Sequence, residues 1–567
     1  MTSTITVKRD YKALITTDKP IYRPGDEVRI RALVLRLSDL RPAPVPVTLE
    51  VEDPKGNKVF KKIVEANDYG VANATFQLAD DINLGAYTVR AVIGEEKFER
   101  KITVDKYVLP KFKVSFSTDK TYYLPGETLK GRVSGEYFFG KPVAGSVEVE
   151  AYTLEVGFKK VARVVGLLDG EGSFTFEIGL PTYLVGLPLE QGKALIFFNI
   201  SVTDTAGHTE KITRSIPISK DALMVDLIPE SLPLKEGMDN TVYIITYYPD
   251  GTPAKAQVRV DGKVIETDEM GLGSLVIRPE GGGGYTMQVE AEDNLGNRVE
   301  KTVSFEVEGG RGHIKVIPDK AIYNVGDTAE FTILYTGERG TDTVFLDLVK
   351  GRQTILTETV ELADSMAKIT IPLTPIMAGT LEVHVYKILP SEDIIRDSRR
   401  ILVNPQNGLV VRIGLDKEEY RPGEEAAITF DVETVNGERR PVILGVNIVD
   451  ESVFALEEMR PGLERIYFLL EEELMKPRYE IHGYTLPEIY GIGNETRLDG
   501  KVQELGKVVM AGGGGVSYIK KFSYPVKENR VSEMKEAYFK GVSTILFILS
   551  LPALIFSLTF SINPFLA

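Results

Sequence analysis

No cysteine and no tryptophan occur in the 567 residues. The first absence excludes disulfides, thiolate metal sites and a cysteine nucleophile together. Histidine is scarce as well. His208, His313, His384 and His482 fall in four different stretches, whereas a metal site needs two or three converging, so they are expected at surfaces or turns. There is no Gly-x-Ser-x-Gly elbow, phosphate loop or dinucleotide fingerprint. Gly281–Gly284 precedes the strand-like YTMQVEAE rather than a helix, which makes it a loop and not a phosphate cradle. Acidic pairs such as Asp80-Asp81 read as solvated surface. A net charge of −15 excludes the basic face that nucleic acid requires. The first twenty residues contain no apolar run of the kind a signal peptide carries. Neither a cofactor nor a catalytic constellation is expected.

What is present points to a folded, β-rich chain. Hydrophobic residues make up 43% and charged residues 26%, ordinary values for a globular protein. Thr, Val, Ile and Tyr are plentiful, and 52 Gly and 30 Pro are spread throughout, a mixture that favours many short strands joined by turns. The length exceeds what one hydrophobic core supports, so several domains are expected.

One phrase returns along the chain: TDKPIYRPGDEVRI at 17–30, TDKTYYLPGETLKG at 118–131, PDKAIYNVGDTAEF at 318–331 and LDKEEYRPGEEAAI at 415–428. Aligned on Asp18, Asp119, Asp319 and Asp416, the copies lie 101, 200 and 97 residues apart. A worn copy, IPESLPLKEGMDNTVYI at 228–244, fills the double gap. Five units of about a hundred residues have the size of one β-sandwich each. The phrase reads as strand, turn, strand. Val28, Ile30, Ala32 and Val34 alternate with polar residues, as do Phe112, Val114 and Phe116, the period of a half-buried strand. Pro24-Gly25, Pro125-Gly126 and Pro422-Gly423 suit the centre of a type II turn, and the other copies keep the glycine as Gly326 and Gly237. That position needs a positive φ, whereas proline only pre-sets a φ that other residues reach. Tyr22, Tyr123, Tyr323 and Tyr420 are expected over the sandwich end with their hydroxyls at the rim. The repeated Asp-Lys is read as turn chemistry rather than a binding site.

VEDPKGNKV (51–59), VTDTAGHTE (202–210) and AEDNLGNRV (291–299) share Asp-x-x-Gly-Asn/His. They read as hairpin loops capped by the aspartate, with too few oxygens for a calcium loop. Asn73-Ala-Thr, Asn199-Ile-Ser and Asn494-Glu-Thr fit the glycosylation pattern, a weak signal.

Three features together resemble the alpha-2-macroglobulin and complement family: the repeated phrase, the linker DKYVLPKFKVSF (105–116) and VNIVDESVFAL (446–456). The resemblance implies an all-β fold, a tandem array of immunoglobulin-like (macroglobulin) β-sandwiches. Residues 8–105, 106–219, 220–308 and 309–405 would be the second to fifth macroglobulin domains, and 406–484 part of the sixth with a helix. The covalent thioester of the family needs Gly-Cys-Gly-Glu-Gln, which a chain without cysteine does not contain.

Beyond the sixth-domain strand, Leu463, Ile466, Tyr467, Leu470 and Leu474 have helical spacing up to Pro477. From 485 to 530 periodicity fades around Gly512–Gly515, and the segment is expected to be loose. Arg497, Lys501, Lys507, Lys520 and Lys521 make it a candidate protease-cleavage segment, placed where the family has its bait. The bland reading is a plain tether. Residues 531–540 lead into Gly541–Ile562, 22 residues without a charge. As a helix these reach roughly 33 Å, enough to span a bilayer. A C-terminal transmembrane helix binding membrane lipid is therefore expected. The positive-inside rule would place the domains in the cytoplasm, while the resemblance places them outside, the reading adopted here. The resemblance then implies an endopeptidase inhibitor whose partners are proteases, and the segment 541–562 would anchor it to the membrane. The alternative is a structural or adhesive cell-surface rod.

Overall fold

The computed structural model describes residues 11–106, 109–154, 158–184, 193–310, 312–337, 343–351, 353–391, 393–405, 409–421, 423–434, 437–446, 448, 467–469 and 500–511. The chain divides into two compact units, Met1–Pro110 with Asp221–Ile519, and Lys111–Lys220 with Lys520–Ala567.

The first unit contains three complete sandwiches built to one plan. In the first, a three-stranded sheet is ordered Tyr11–Thr17, Glu27–Arg36, Val71–Gln77. It faces a five-stranded sheet ordered Ile21–Tyr22, Glu96–Val104, Gly85–Ile93, Pro46–Glu52, Lys58–Glu65. Residues 224–308 and 312–404 repeat the arrangement of three strands against five. Alternation accounts for the layers. Val28, Ile30, Ala32 and Val34 point inward and meet Val47, Leu49 and Val51 from the opposite sheet. Full burial of one such branched side chain stabilises by about 1.5–3 kcal/mol. A further pair, Leu409–Leu415 with Ile428–Thr434, follows the third sandwich. The remainder of the expected sixth domain, including Leu463, Ile466, Leu470 and Leu474, lies outside the described residues apart from a helical turn at Tyr467–Leu469.

In the second unit, strands Phe112–Thr118, Thr128–Tyr137 and Ser173–Gly179 form one sheet. Gly145–Leu154, Phe158–Leu167, Lys193–Asp204 and Thr209–Ser219 form the other. Phe112, Val133, Val149, Phe198 and Ile200 fill the space between them. In three of the four sandwiches the outermost hairpin carries a register shift, at Val51/Glu52, Ala151/Tyr152 and Leu348/Val349. A bulge of this kind twists an edge away from pairing with another chain.

The repeated phrase is more than strand, turn, strand. Tyr11–Thr17 and Glu27–Arg36 do pair antiparallel. Between them, however, Ile21–Tyr22 crosses to the opposite sheet and pairs in parallel with Thr103–Val104. Leu234–Lys235 and Ile322–Asn324 make the same excursion. The phrase is a corner that stitches both sheets of a sandwich together.

Its side chains form one network. Asp18 Oδ1 accepts the Tyr22 hydroxyl at 2.7 Å and the Arg29 amide at 2.9 Å, and the Lys19 amide donates to the Tyr22 oxygen. Asp319, Tyr323, Glu330 and Lys320 repeat those bonds, as do Asp416, Tyr420, Ala427 and Lys417. The lysine ammonium then lies 5.5–5.8 Å over the tyrosine ring in four copies, a cation–π contact. The acid after the glycine (Asp26, Glu127, Asp327 or Glu424) accepts the amide three residues earlier. Gly25, Gly126, Gly237, Gly326 and Gly423 have φ of 82°, 83°, 68°, 96° and 86°. Three of the four tyrosine hydroxyls do not sit at the rim, and Tyr420, only half-buried at an exposed corner, is the exception. Tyr22, Tyr123 and Tyr323 are fully buried, because the aspartate gives each hydroxyl an internal acceptor. Burial and that neighbouring carboxylate push the Tyr123 phenol up to about 12.

Candidate functional site: a helix seated on two sandwiches

The stretch 485–530, expected to be loose, contains a helix. Residues Gly500–Ala511 form α1, packed across the sandwiches at 224–308 and 312–404. Leu505, Val508 and Val509 lie three and four residues apart, share one face and are buried. They meet Ile228, Tyr243 and Ile245 from one sandwich and Ile322 and Leu402 from the other. The helical period was present in the sequence, but Gly506 within it and four glycines after it hid the signal. Tertiary contact overrode weak local propensity.

Two details fix the seat. At Gly506 the helix comes so near that a Cβ would lie 2.8 Å from Ile322 Cδ1. One turn earlier Gln503 Oε1 accepts the Ala321 and Ile322 amides at 3.2 and 3.3 Å, and its Nε2 donates to Ile322 O at 2.7 Å. The carboxamide completes hydrogen bonds that a neighbouring strand would otherwise supply.

The C-terminal end of α1 meets cations. Met510 and Ala511 border a cavity of about 30 Å³ that is also lined by Glu230, Lys235, Arg399 and Arg400. Carbonyls at a helix end carry partial negative charge, so this placement is favourable. Arg399 is nine-tenths buried and donates from Nη1 to Asp397 Oδ1 at 2.9 Å and to Ser398 O at 2.8 Å. Burial works against the charge of Glu230, yet Arg399 and Lys315 hold its carboxyl below the usual range. Lys315, itself buried, lies 2.9 Å from Glu230 and donates to Asp239 O at 2.8 Å.

A second junction joins the sandwiches at 11–104 and 312–404. Lys350 is buried there, and its ammonium donates to Ser38 O at 3.1 Å and Ile376 O at 2.8 Å. Burial lowers its pKa to about 8. The helical turn Tyr467–Leu469 crosses the same place. The Tyr467 hydroxyl donates to Ala13 O at 2.8 Å, and Thr380 Oγ1 donates to Leu469 O at 3.2 Å. Leu469 and Leu40 also touch the apolar cluster beneath α1. The chain beyond the Leu409–Thr434 hairpin is therefore fastened at two interfaces between sandwiches.

Of the candidate cleavage residues, Lys501 and Lys507 lie within α1 and not in an extended loop. Lys507 pairs with Glu504 at 3.0 Å. Arg497, Lys520 and Lys521 lie outside the described residues, as does the apolar segment 541–562. Among the described residues no helix is long and apolar enough to cross a membrane, and no three His, Asp or Glu side chains converge as a metal site. The histidines remain apart. His208 pairs with Asp204 and His384 with Glu382, both at 3.0 Å. His313 is buried, contrary to the expectation of a surface residue, and burial lowers its pKa. His482 is outside the described residues.

The three hairpin aspartates behave alike. Asp53 Oδ1 accepts the amides of Lys55 and Asn57, Asp204 those of Ala206 and His208, and Asp293 those of Leu295 and Asn297. A second series went unnoticed in the sequence: Asn67, Asp169 and Asp268 make the same pair of bonds ahead of Gly70, Gly172 and Gly271. The shared Asx-x-x-Gly spacing was the signal available.

A row of sandwiches with Asp–Tyr corners, fastened by a trailing helix, defines a macroglobulin-type array. Three family models match in order: the MG2 domain at 12–104, macroglobulin domain MG3 at 106–183 and the alpha-2-macroglobulin bait region domain at 314–456. Together they take up more than half of the chain. Alpha-2-macroglobulin of Ralstonia nicotianae is 25% identical over 501 residues, covering 80% of this chain and 30% of that protein. The alpha-2-macroglobulin of Thermotoga maritima is 26% identical over 478 residues, covering 79% and 28%. The crystal structure of trypsin-activated alpha-2-macroglobulin from Escherichia coli shares the fold, with a TM-score of 0.51 at 15% identity over 81% of this chain and 35% of that one. The chain belongs to the alpha-2-macroglobulin family. It spans less than a third of the length of these two curated relatives. The bait-region match ends at 456, ahead of the stretch 485–530.

Proposed function

We propose that this chain acts in steric endopeptidase inhibition of the alpha-2-macroglobulin type, with proteases as partners and without a thioester of its own. One observation carries the reading: α1, from the middle of the stretch expected to be cut, is the element seated across two sandwiches. A cut beside it converts an intramolecular contact into one that can dissociate, and the sandwiches it held become free to reorient. Rigid units joined through a severable fastener are what such a mechanism needs. No catalytic step is assigned to the chain.

The test is limited digestion of the full chain with trypsin, mapping the first cut and following the radius of gyration by small-angle scattering. The reading expects one favoured cut between 485 and 530, a change in compactness, and a protease hindered toward a protein substrate but not a small one. Scattered cuts with no change of shape would leave a spacer rod instead. Anchoring through 541–562, with the domains outside the cell, belongs to the same proposal and rests on those 22 uncharged residues. Release of the chain from membranes by alkaline carbonate would refute the anchor alone.

A further inference from the structure

Taken by itself, α1 is a poor helix. Its twelve residues sit at the length where an isolated helix is marginal. Gly506 weakens it further, and neither an acidic residue in the first turn nor a basic one in the last supports it. Its order therefore comes from the groove in which it lies.

That groove is specific. Gln503 reads the backbone of Ala321 and Ile322 through three hydrogen bonds. Those bonds reach the start of strand Ile322–Asn324, whose ladder partner is Leu402–Asn404. At 506 a Cβ would lie 2.8 Å from Ile322 Cδ1, so any larger residue requires the Ile322 side chain to shift, and Leu505, Val508 and Val509 fill the apolar floor. Neither sandwich uses α1 as a strand, so every strand pairing in both sandwiches is made without it. Its end wall is built as well, from Lys235, Arg399 and Arg400 with the carboxylates Glu230 and Asp397 among them.

We infer that the groove between the sandwiches at 224–308 and 312–404 is a receptor for a helix that folds on docking, and that it accepts segment 500–511 of a second copy when its own has left. Residues 470–499 separate the two fastening points, and thirty residues reach roughly 100 Å when extended, so connection length does not forbid exchange between copies. Released chains would then associate through swapped α1 helices. The inference rests on the docked geometry and not on the inhibitor reading. A chain that inhibits nothing could still exchange its helix, and an inhibitor could still release α1 without exchange.

Two experiments test it. The first uses the full chain carrying Leu505→Asp and Val508→Asp, which displaces α1 while leaving both sandwiches unaltered. Fluorescein-labelled peptide 498–513 is titrated into it and followed by anisotropy. Saturable binding is expected, at least ten-fold weaker for the Gln503→Ala and Gly506→Leu peptides, and absent with the unaltered chain, whose groove is full. No binding to the displaced chain, or equal affinity for all three peptides, overturns the receptor. Should the double variant not fold, the chain with Gln503→Ala serves: faster amide exchange across 503–511 than in the unaltered chain is expected, and an unchanged rate overturns the clamp. The second experiment uses the lack of native cysteine. Ser231 and Ala511 line the same cavity, so a chain carrying Ser231→Cys together with Leu505→Asp and Val508→Asp, mixed with an Ala511→Cys chain, forms a disulfide-linked dimer only when one copy's α1 occupies the other's vacated groove. Linked dimers that vanish when Leu505→Asp is added to the Ala511→Cys chain are expected. Absence of dimers, or dimers indifferent to Leu505→Asp, overturns the exchange.

Discussion

Replacing Gly271 by alanine separates two costs that a glycine can hide. Gly271 has φ +70°, and a methyl group on it would stand 2.0 Å from Thr246 O and 3.3 Å from Ala254 O. The Thr246 carbonyl would have to retreat by roughly 1.5 Å to reach ordinary contact at about 3.5 Å. It is not free to do so. It accepts the Ala254 amide at 3.0 Å, the Thr246 amide donates to Gly271 O at 2.8 Å, and Thr246 Oγ1 shares a hydrogen bond with Thr267 Oγ1 at 2.7 Å. Left-handed backbone costs an L-residue about 1–2 kcal/mol, and each buried hydrogen bond left unmade costs about 1–3 kcal/mol. With one such bond lost the sum is about 2–5 kcal/mol. Gly237, in the same sandwich, is the control. Its φ is +68° and nothing lies within 4 Å of the added carbon, so Gly237→Ala costs only the strain, about 1–2 kcal/mol. Because a chain of several sandwiches does not unfold in two states, the assay is native-state hydrogen exchange of peptides covering 240–247 and 272–277. Equal protection in the two variants would refute the reasoning, since the carbonyl contact would then contribute nothing.

Tyr323→Phe removes a buried hydroxyl that donates to Asp319 at 2.6 Å and accepts the Lys320 amide at 3.0 Å. It is expected to destabilise its sandwich by about 1–3 kcal/mol, and Tyr420→Phe, at a solvent-exposed corner, by clearly less; hydrogen exchange of 328–337 and 428–434 compares them. Lys350 titrates at about 8 in the fold against about 10.4 unfolded. Between those values the unfolded chain holds more protons, so stability rises with pH by up to about 1.4 kcal/mol per unit. A Tm difference between the native chain and Lys350→Met that changes from pH 8 to pH 9.5 checks this, and parallel curves count against it. The side chain and amide of Asn57 help hold the Asp53 carboxyl at about 2. Its stabilising effect is complete above the ordinary aspartate range and is lost as pH falls from 4 toward 2. Exchange across 53–57, corrected for intrinsic rate, should therefore accelerate between pH 4 and pH 2.5.

Sequence by itself determined what is settled within about a dozen consecutive residues. The mostly-β class follows from period-two alternation such as Val28, Ile30, Ala32, Val34, which commits one face of a strand to a core whatever its neighbours are, while the macroglobulin-type array was legible only through the resemblance carried by the repeated phrase, the linker at 105–116 and the stretch 446–456. The Asp–Tyr corner and the Asx-capped loops are likewise local, since each carboxylate satisfies amides two to eleven residues away. Only the tertiary structure decided what depends on partners far along the chain. Ile21–Tyr22 leaves one sheet for the other because its backbone finds Thr103 and Val104. Lys350 becomes a weak base because Ser38 and Ile376 close over it. The candidate site is the strongest case: 500–511 is short, contains Gly506 and runs into four glycines, and it is a helix because Ile322, Tyr243 and Leu402 offer an apolar seat and the backbone at 321–322 offers Gln503 its partners. Propensity is a small sum over neighbours in sequence, and burial against a preformed surface outweighs it.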